Sequence, residues 1–266
     1  MKRSVIIRGS LGNSKNPTNF TQQVVDSIRS WHNDEVILST WDHQLDAARN
    51  ILGIDHIVIS KDPGHDPGHT MRQYITYESA LKVAQGEQIL VTRTDILHFR
   101  NLFEYVGSSL ARSQENLGAF THKLVIGNMM TIRPDSSEIV RTFRPSDWFQ
   151  CGWATDIHKW CGIGQEIRSI DWNLYKNLYA KQQACTEKLW FSLVLQKYSN
   201  KDIRWYDTTE FDNLAWHAIN DNFLVLDNIT TARTMNLNWT FQPQRLHCYY
   251  TEKLYNFKYN ELCARD

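Results

Sequence analysis

Through the first hundred positions, short apolar runs alternate with stretches in which apolar residues recur at helical spacing. Ser4 to Ile7 is a β-branched run ended by Arg8-Gly9-Ser10, the pattern of a fully buried strand entering a loop. A polar segment rich in Gly, Asn and Pro follows to Asn19, and Thr21 to Trp31 then sets Val24, Val25, Ile28 and Trp31 on one helical face. Glu35 to Ser39 predicts a second strand running into Thr40-Trp41-Asp42, Ala47 to Leu52 a short helix, and His56 to Ser60 a third strand running into Asp62-Pro63-Gly64. Beyond a His-rich loop ending at His69, Met71 to Ala84 reads as a helix with Met71, Ile75, Ala80 and Leu81 inward. Ile89 to Val91 makes a fourth strand, ending in Thr92-Arg93-Thr94-Asp95.

Strands alternating with helices in this way specify an α/β fold, a mostly parallel central sheet with helices on both faces. The second half differs. Lys123 to Gly127 and Trp148 to Gly152 predict further strands, while Ile170 to Lys197 is helix-rich. No repeat, low-complexity tract or linker divides the chain, so a single domain is expected. Ligands of open parallel sheets bind beyond the carboxyl ends of the strands. Here those ends carry Arg8-Gly9, Thr40-Trp41-Asp42, Asp62-Pro63-Gly64 and Arg93-Thr94-Asp95, which would converge on one crevice.

Composition narrows the function classes. The 29 basic and 29 acidic side chains cancel, so no overall field attracts nucleic acid or an anionic membrane. No apolar stretch reaches the roughly 18 to 20 residues needed to span a bilayer, and the apolar run near the start is too short for a signal peptide of about 7 to 15 apolar residues. A cytoplasmic protein is expected. The five cysteines are odd in number and lack CxxC spacing, which predicts buried thiols rather than disulfides or a zinc knuckle.

GxGxxG and the Walker pattern are absent after the first strand, and GxSxG and HExxH are absent altogether, which argues against dinucleotide oxidoreductases, P-loop enzymes, serine hydrolases and zinc proteases. The strongest local signal is the fourth strand, which delivers Asp95 to the sheet edge. An Asp there either holds a divalent ion or a sugar hydroxyl beside a diphosphate, or caps a helix starting at Ile96. Phe143 to Gly152 sets Asp147 and Trp148 against a short apolar strand.

Taken together, Val36-Ile37-Leu38-Ser39-Thr40-Trp41, Asp62-Pro63-Gly64, Met71-Arg72-Gln73, Val91-Thr92-Arg93-Thr94-Asp95 and Arg144-Pro145-Ser146-Asp147-Trp148-Phe149 resemble the WavE lipopolysaccharide-synthesis family. The resemblance continues through Thr186-Glu187-Lys188-Leu189-Trp190 to Asn222-Phe223-Leu224-Val225-Leu226 and covers residues 4 to 226. It implies a GT-A-like glycosyltransferase, a single α/β domain over 1–266. The nucleotide-binding half would be 1–106, the acceptor half 107–240 and a C-terminal tail 241–266. The donor would be a nucleotide sugar and the acceptor a growing polysaccharide, lipopolysaccharide or capsule, as a glycan or lipid-linked glycan.

GT-A enzymes usually end the strand before the sugar site in DxD, whose last carboxylate binds a divalent ion. Here the triplet is Arg93-Thr94-Asp95. Asp95 therefore stands as the candidate ligand for Mn²⁺ or Mg²⁺, while Arg93 offers a fixed cation that can make transfer independent of metal. Arg8, Gly9, Thr40, Trp41, Asp42 and Arg72 are the further nucleotide and donor candidates, Trp41 as a base-stacking ring or as core. For inverting transfer the base would be Glu187, in the first turn of a helix capped by Thr186, or Asp147, with Asp156 a weaker rival. Trp148 and Trp153 are the acceptor candidates, among aromatics that mostly build core.

Asp62 to His69 gathers two Asp and two His, a pattern that suits a double turn better than a metal site. Arg245 to Tyr259 mixes Tyr, Phe and Lys and would either pack on the domain or touch a membrane surface peripherally. The rivals to transfer are a nucleotidyltransferase or nucleotide-sugar hydrolase using the same crevice, and a glycan-binding or assembly protein without chemistry.

Overall fold

The structure, a computed structural model, describes residues 1–11, 17–107, 117–127, 145–181, 183–199, 201, 203–206, 211–226 and 232–234. Strands β1 (Arg3–Arg8), β2 (Glu35–Trp41), β3 (His56–Ser60) and β4 (Gln88–Arg93) are joined by helices α1 (Pro17–Arg29), α2 (Leu45–Arg49) and α3 (Thr70–Leu81). A short strand β5 (Ile96–His98) follows, then β6 (Leu124–Gly127) and β7 (Phe149–Trp153). The helix-rich part is α4 (Ala154–Cys161), α5 (Gly164–Arg168), α6 (Trp172–Ala180), α7 (Thr186–Tyr198) and α8 (Phe211–Asn222), and it leads to β8 (Phe223–Leu226) and β9 (Ala232–Thr234).

Seven strands form the central sheet in the order β3-β2-β1-β4-β7-β6-β8, and β5 pairs with β9 apart from it. β3, β2, β1 and β4 run parallel, as do β6 and β8, while β7 lies antiparallel between β4 and β6. This is the mixed, mostly parallel α/β architecture expected, consistent with a GT-A-like domain. Alternation along each strand divides the core between the two faces. Ile6, Ile37, Ile89, Val91, Leu124 and Ile126 pack against α3, α4 and α7 through Tyr74, Tyr77, Trp160 and Trp190. Val5, Ile7, Val36, Leu38, Leu90 and Val125 pack on the other side against Val24, Val25 and Ile28 of α1.

The first four strands lie where their apolar runs place them. After β4, the helix cap, one of the two alternatives for Asp95, is set aside, because Ile96 to His98 is extended and pairs with β9. The inward face of α3 is as expected for Ala80 and Leu81, which are buried, and for Met71 and Ile75, which pack half-buried against the core; Tyr74 and Tyr77 are buried on it as well. The segment Arg245 to Tyr259, Arg144, Cys248, Cys263 and the side chain of Trp216 lie outside the described residues. Among the described residues no helix is long and apolar enough to cross a membrane, and Cys151, Cys161 and Cys185 are buried.

Candidate active site

The register of β1 on β4 places Arg8 beside Arg93, two cations on neighbouring strands whose backbones are about 5 Å apart. Like charges so placed repel, and the surrounding groups separate their roles. Arg93 makes a two-pronged bond to Asp95, Nε to Oδ1 at 2.9 Å and Nη2 to Oδ2 at 2.8 Å, and gives Nη1 to Oδ2 of Asp147 at 3.2 Å. Burial works against its charge, but Asp147 and Asp95 outweigh that and hold the guanidinium protonated beyond the ordinary Arg range. Asp147 reaches this place because β7 runs antiparallel to β4: Phe149 pairs with Thr92, so the residues just before β7 arrive at the carboxyl end of β4.

Arg8 is paired differently. It is only 4 % exposed, and its Nη2 donates to Gln73 Oε1 at 3.4 Å, Tyr77 Oη at 3.3 Å and the Asp147 main-chain oxygen at 3.4 Å. Its guanidinium lies 4.2 Å from the centre of the Tyr77 ring, and its Nε, buried, meets no hydrogen-bond acceptor. Its hydrogen-bond partners among the described residues are all neutral. Tyr77 in turn donates to Gln150 Oε1, and Gln150 Nε2 donates to the Ser146 oxygen at 2.7 Å. Burial pushes the Tyr77 phenol up to about 12, so it stays a neutral partner. Thr92 Oγ1 donates to the Trp148 oxygen at 3.1 Å, so Ser146, Asp147 and Trp148 are each fixed by their main chain to the sheet end.

Gly9 has φ +116°, a conformation that lets the chain leave β1 sharply while its N–H donates to Ser39 at 3.0 Å. Thr40 is buried, bonded to Gln44 at 2.7 Å. Asp42 is exposed at the mouth and accepts from the His43 N–H. Arg72, on the first turn of α3, is held by Asp62 through bonds of 2.8 and 2.5 Å and lies 5.8 Å from the Trp41 ring. The Arg72 guanidinium keeps the Asp62 carboxyl below the usual carboxylate range.

Several expected roles do not fit this geometry. Trp41 is 1 % exposed, with its indole N–H on Ser10 Oγ at 3.1 Å, so it supports the crevice wall and offers no free face to a base. Trp148 is 2 % exposed and packs in the core face shared with Phe149 and Phe103, which removes it as an acceptor platform. Trp153 pairs with Gln88, the opposite end of β4 from Arg93, and its ring lies against His122. Asp156 is fully buried and accepts from the Thr121 and His122 N–H groups at 2.7 and 3.0 Å, a structural use incompatible with a base open to substrate.

Glu187 sits, half-buried, in the first turn of α7 as expected, but Cys185 is the N-cap and Thr186 has another task. Thr186 Oγ1 donates to the Gly68 oxygen at 2.9 Å and bonds Thr70 at 2.9 Å, tying α7 to the loop that precedes α3. Glu187 thus stands beside that loop, while Asp147 stands among Arg8, Arg93 and Asp95. In the His-rich loop, Asp62 bonds Arg72 and the Gly64 N–H, and Asp66 accepts from the Met71 N–H at 2.9 Å, so both carboxylates serve turn and helix start. Both oxygens of Asp95 are bonded to Arg93, and among the described residues no three metal-ligating side chains converge.

Sequence reasoning missed Gln73, Tyr77 and Gln150, the groups that seat Arg8. Gln73 and Tyr77 are four apart on α3 and so share a face, the one signal that could have found them.

Among the described residues, a seven-stranded, mostly parallel sheet with charged side chains at the carboxyl ends of its strands makes this an α/β protein, consistent with a GT-A-like domain. The chain belongs to the WavE lipopolysaccharide-synthesis family, whose model matches residues 3–228. That membership ties it to lipopolysaccharide biosynthesis. No curated protein matches the chain.

Proposed function

We propose that this chain is a glycosyltransferase of lipopolysaccharide synthesis, moving a sugar from a nucleotide-sugar donor to a hydroxyl of a growing glycan or lipid-linked glycan with inversion at the anomeric carbon. The observation that carries the reading is the meeting of Arg8, Arg93, Asp95 and Asp147 where three strand ends converge. Arg8 is the cation for the donor diphosphate, because among the described residues no carboxylate is bonded to it and its Nε is unsatisfied. Asp95 accepts hydrogen bonds from the donor sugar, and Arg93 fixes both Asp95 and Asp147.

Asp147 takes the proton of the acceptor hydroxyl as its oxygen bonds to the anomeric carbon, and the bond from that carbon to the diphosphate oxygen breaks. The electron pair leaves on the diphosphate, where Arg8 stabilises the developing charge and no metal step is required. Asp147 is preferred to Glu187 as base because Arg93 holds its carboxylate beside Asp95 and Arg8. The lipid-linked acceptor and the donor would meet at the cytoplasmic face of the membrane. The hydrolase and nucleotidyltransferase alternatives need a carboxylate-held metal, whereas both oxygens of Asp95 are bonded to Arg93.

The test is a thermal-shift and transfer assay with UDP, GDP, TDP and CMP and their sugars, with Mn²⁺, with Mg²⁺ and with EDTA. One nucleotide should raise the midpoint in EDTA as well, since a ligand that binds only the folded state stabilises it. Asp147→Asn should keep that shift and lose transfer. No shift with any nucleotide refutes the reading in favour of a glycan-binding protein, and a shift seen only with metal refutes the role given to Arg8.

A further inference from the structure

Beyond the crevice, the most unusual surface is aromatic. Tyr179, on the last turn of α6, is 41 % exposed, and Tyr206 is 43 % exposed. They are joined through the interior: Tyr179 to Tyr175 at 6.0 Å, Tyr175 to Trp205 at 5.6 Å and Trp205 to Tyr206 at 5.4 Å between ring centres. Tyr175 is fully buried and its hydroxyl lies 3.4 Å from both Thr70 and Thr186 oxygens. The two outer rings therefore stand on buried rings, and little freedom remains for a ligand to freeze.

The ladder is also continuous with the crevice. Tyr179 Cε2 lies 3.1 Å from where a side chain on Gly68 would begin, so its ring covers the turn entering α3. The same turn is bonded to Thr186, next to Glu187, and α3 carries Arg72 and Gln73 into the crevice one turn later. An exposed tyrosine offers an apolar ring face and a hydroxyl together, the combination that matches a pyranose with its C–H face and its hydroxyl rim.

We infer that Tyr179 and Tyr206 form a stacking subsite for sugar residues of the acceptor glycan that trail behind the reacting one. The assignment of the ligand as acceptor rests on the transferase reading above. Glu187, between subsite and crevice, then hydrogen-bonds acceptor hydroxyls, a use that does not require it to be the base.

The full chain is titrated with deacylated rough-lipopolysaccharide oligosaccharide and with cellotetraose and maltotetraose, followed by saturation-transfer NMR, while nucleotide binding is read separately by thermal shift. At least one glycan should bind, Tyr179→Ala should weaken it roughly tenfold, Tyr206→Ala should weaken it measurably, and Tyr179→Phe should keep most of the affinity. Nucleotide shifts should be unchanged in all three variants. Equal glycan affinity in wild type and both alanine variants overturns the subsite, as does binding of none of the three probes or self-association that Tyr179→Ala abolishes. Glycan binding that depends on Tyr179 in a chain that binds no nucleotide would sink the transferase reading and leave the subsite standing.

Discussion

Replacing Arg8 with methionine separates a functional charge from a structural one. The change removes three hydrogen bonds to neutral acceptors, all at 3.3 to 3.4 Å, and a cation–ring contact of 4.2 Å. Bonds this long lie at the weak end, about 0.5 kcal/mol each, and the ring contact adds about 1 kcal/mol, so the loss is near 2 to 3 kcal/mol. Against it stands the cost of holding a nearly buried cation with an unsatisfied Nε and no carboxylate partner, which is several kcal/mol. The two nearly cancel, and the thermal midpoint of Arg8→Met should lie within about 5 °C of wild type or above it, given about 2 to 4 °C per kcal/mol for a chain of this size. Ligand affinity should behave otherwise. One charge-assisted bond to phosphate, about 1.5 to 3 kcal/mol, predicts a loss of about 10- to 150-fold for the nucleoside diphosphate and almost none for the parent nucleoside. Isothermal titration of both ligands, with melting of both proteins, decides it. An Arg8→Met protein that melts more than about 10 °C lower yet binds the diphosphate as wild type does would refute the argument, because Arg8 would then be a structural guanidinium.

Trp148→Ala should cost about 3 to 5 kcal/mol in urea unfolding, because the ring is core and not platform; a variant of wild-type stability that loses acceptor binding would restore the acceptor role. His98 concerns pH. Thr92 Oγ1 spends its one hydrogen on Trp148, so His98 must donate Nε2–H to Thr92 at 2.7 Å and keep its buried Nδ1 bare. Burial lowers its protonation to about 3, against 6.5 for the free side chain. Between those values the unfolded chain binds the extra proton, so stability should fall as pH drops from 6.5 towards 3, at a slope approaching about 1.4 kcal/mol per pH unit. His98→Gln should flatten that limb in unfolding measured at stepped pH, and an unchanged slope would assign it to other groups.

The parallel half of the fold was legible because its strands are covered on both faces. A strand such as β2, buried at all seven positions, is written after its opening Glu35 as a continuous apolar or small-residue run, and the loops between such runs stand out as polar punctuation. The short β5 was not legible. Ile96-Leu97-His98 after an Asp carries the local signature of a capped helix, and only the distant partner Ala232 to Thr234 makes it extended. Tyr74 and Tyr77 were missed as core for a related reason: on α3 they carry polar tips that a pattern reading counts as neutral, whereas the fold supplies Glu78 and Gln150 to satisfy those tips.

Candidate residues could be found from strand ends, but their pairing could not, since pairing is decided by register. Arg93 and Asp95 are two apart and Asp147 is more than fifty residues away; only the antiparallel placement of β7, with Phe149 opposite Thr92, brings the second carboxylate to the guanidinium. That one topological fact changes the electrostatic argument. With Asp147 distant, Arg93 would have charge to offer a diphosphate; with both carboxylates bonded to it, it carries no surplus, and the pair of aspartates leaves the cluster one charge negative. Arg8, whose hydrogen bonds among the described residues go to neutral acceptors, offsets that negative charge, so a diphosphate approaching this end of the sheet is attracted where its oxygens come closer to Arg8 than to the aspartates. On the transferase reading, the charge that serves the donor is the buried Arg at the end of β1, and the more conspicuous RTD triplet holds and aims the carboxylates.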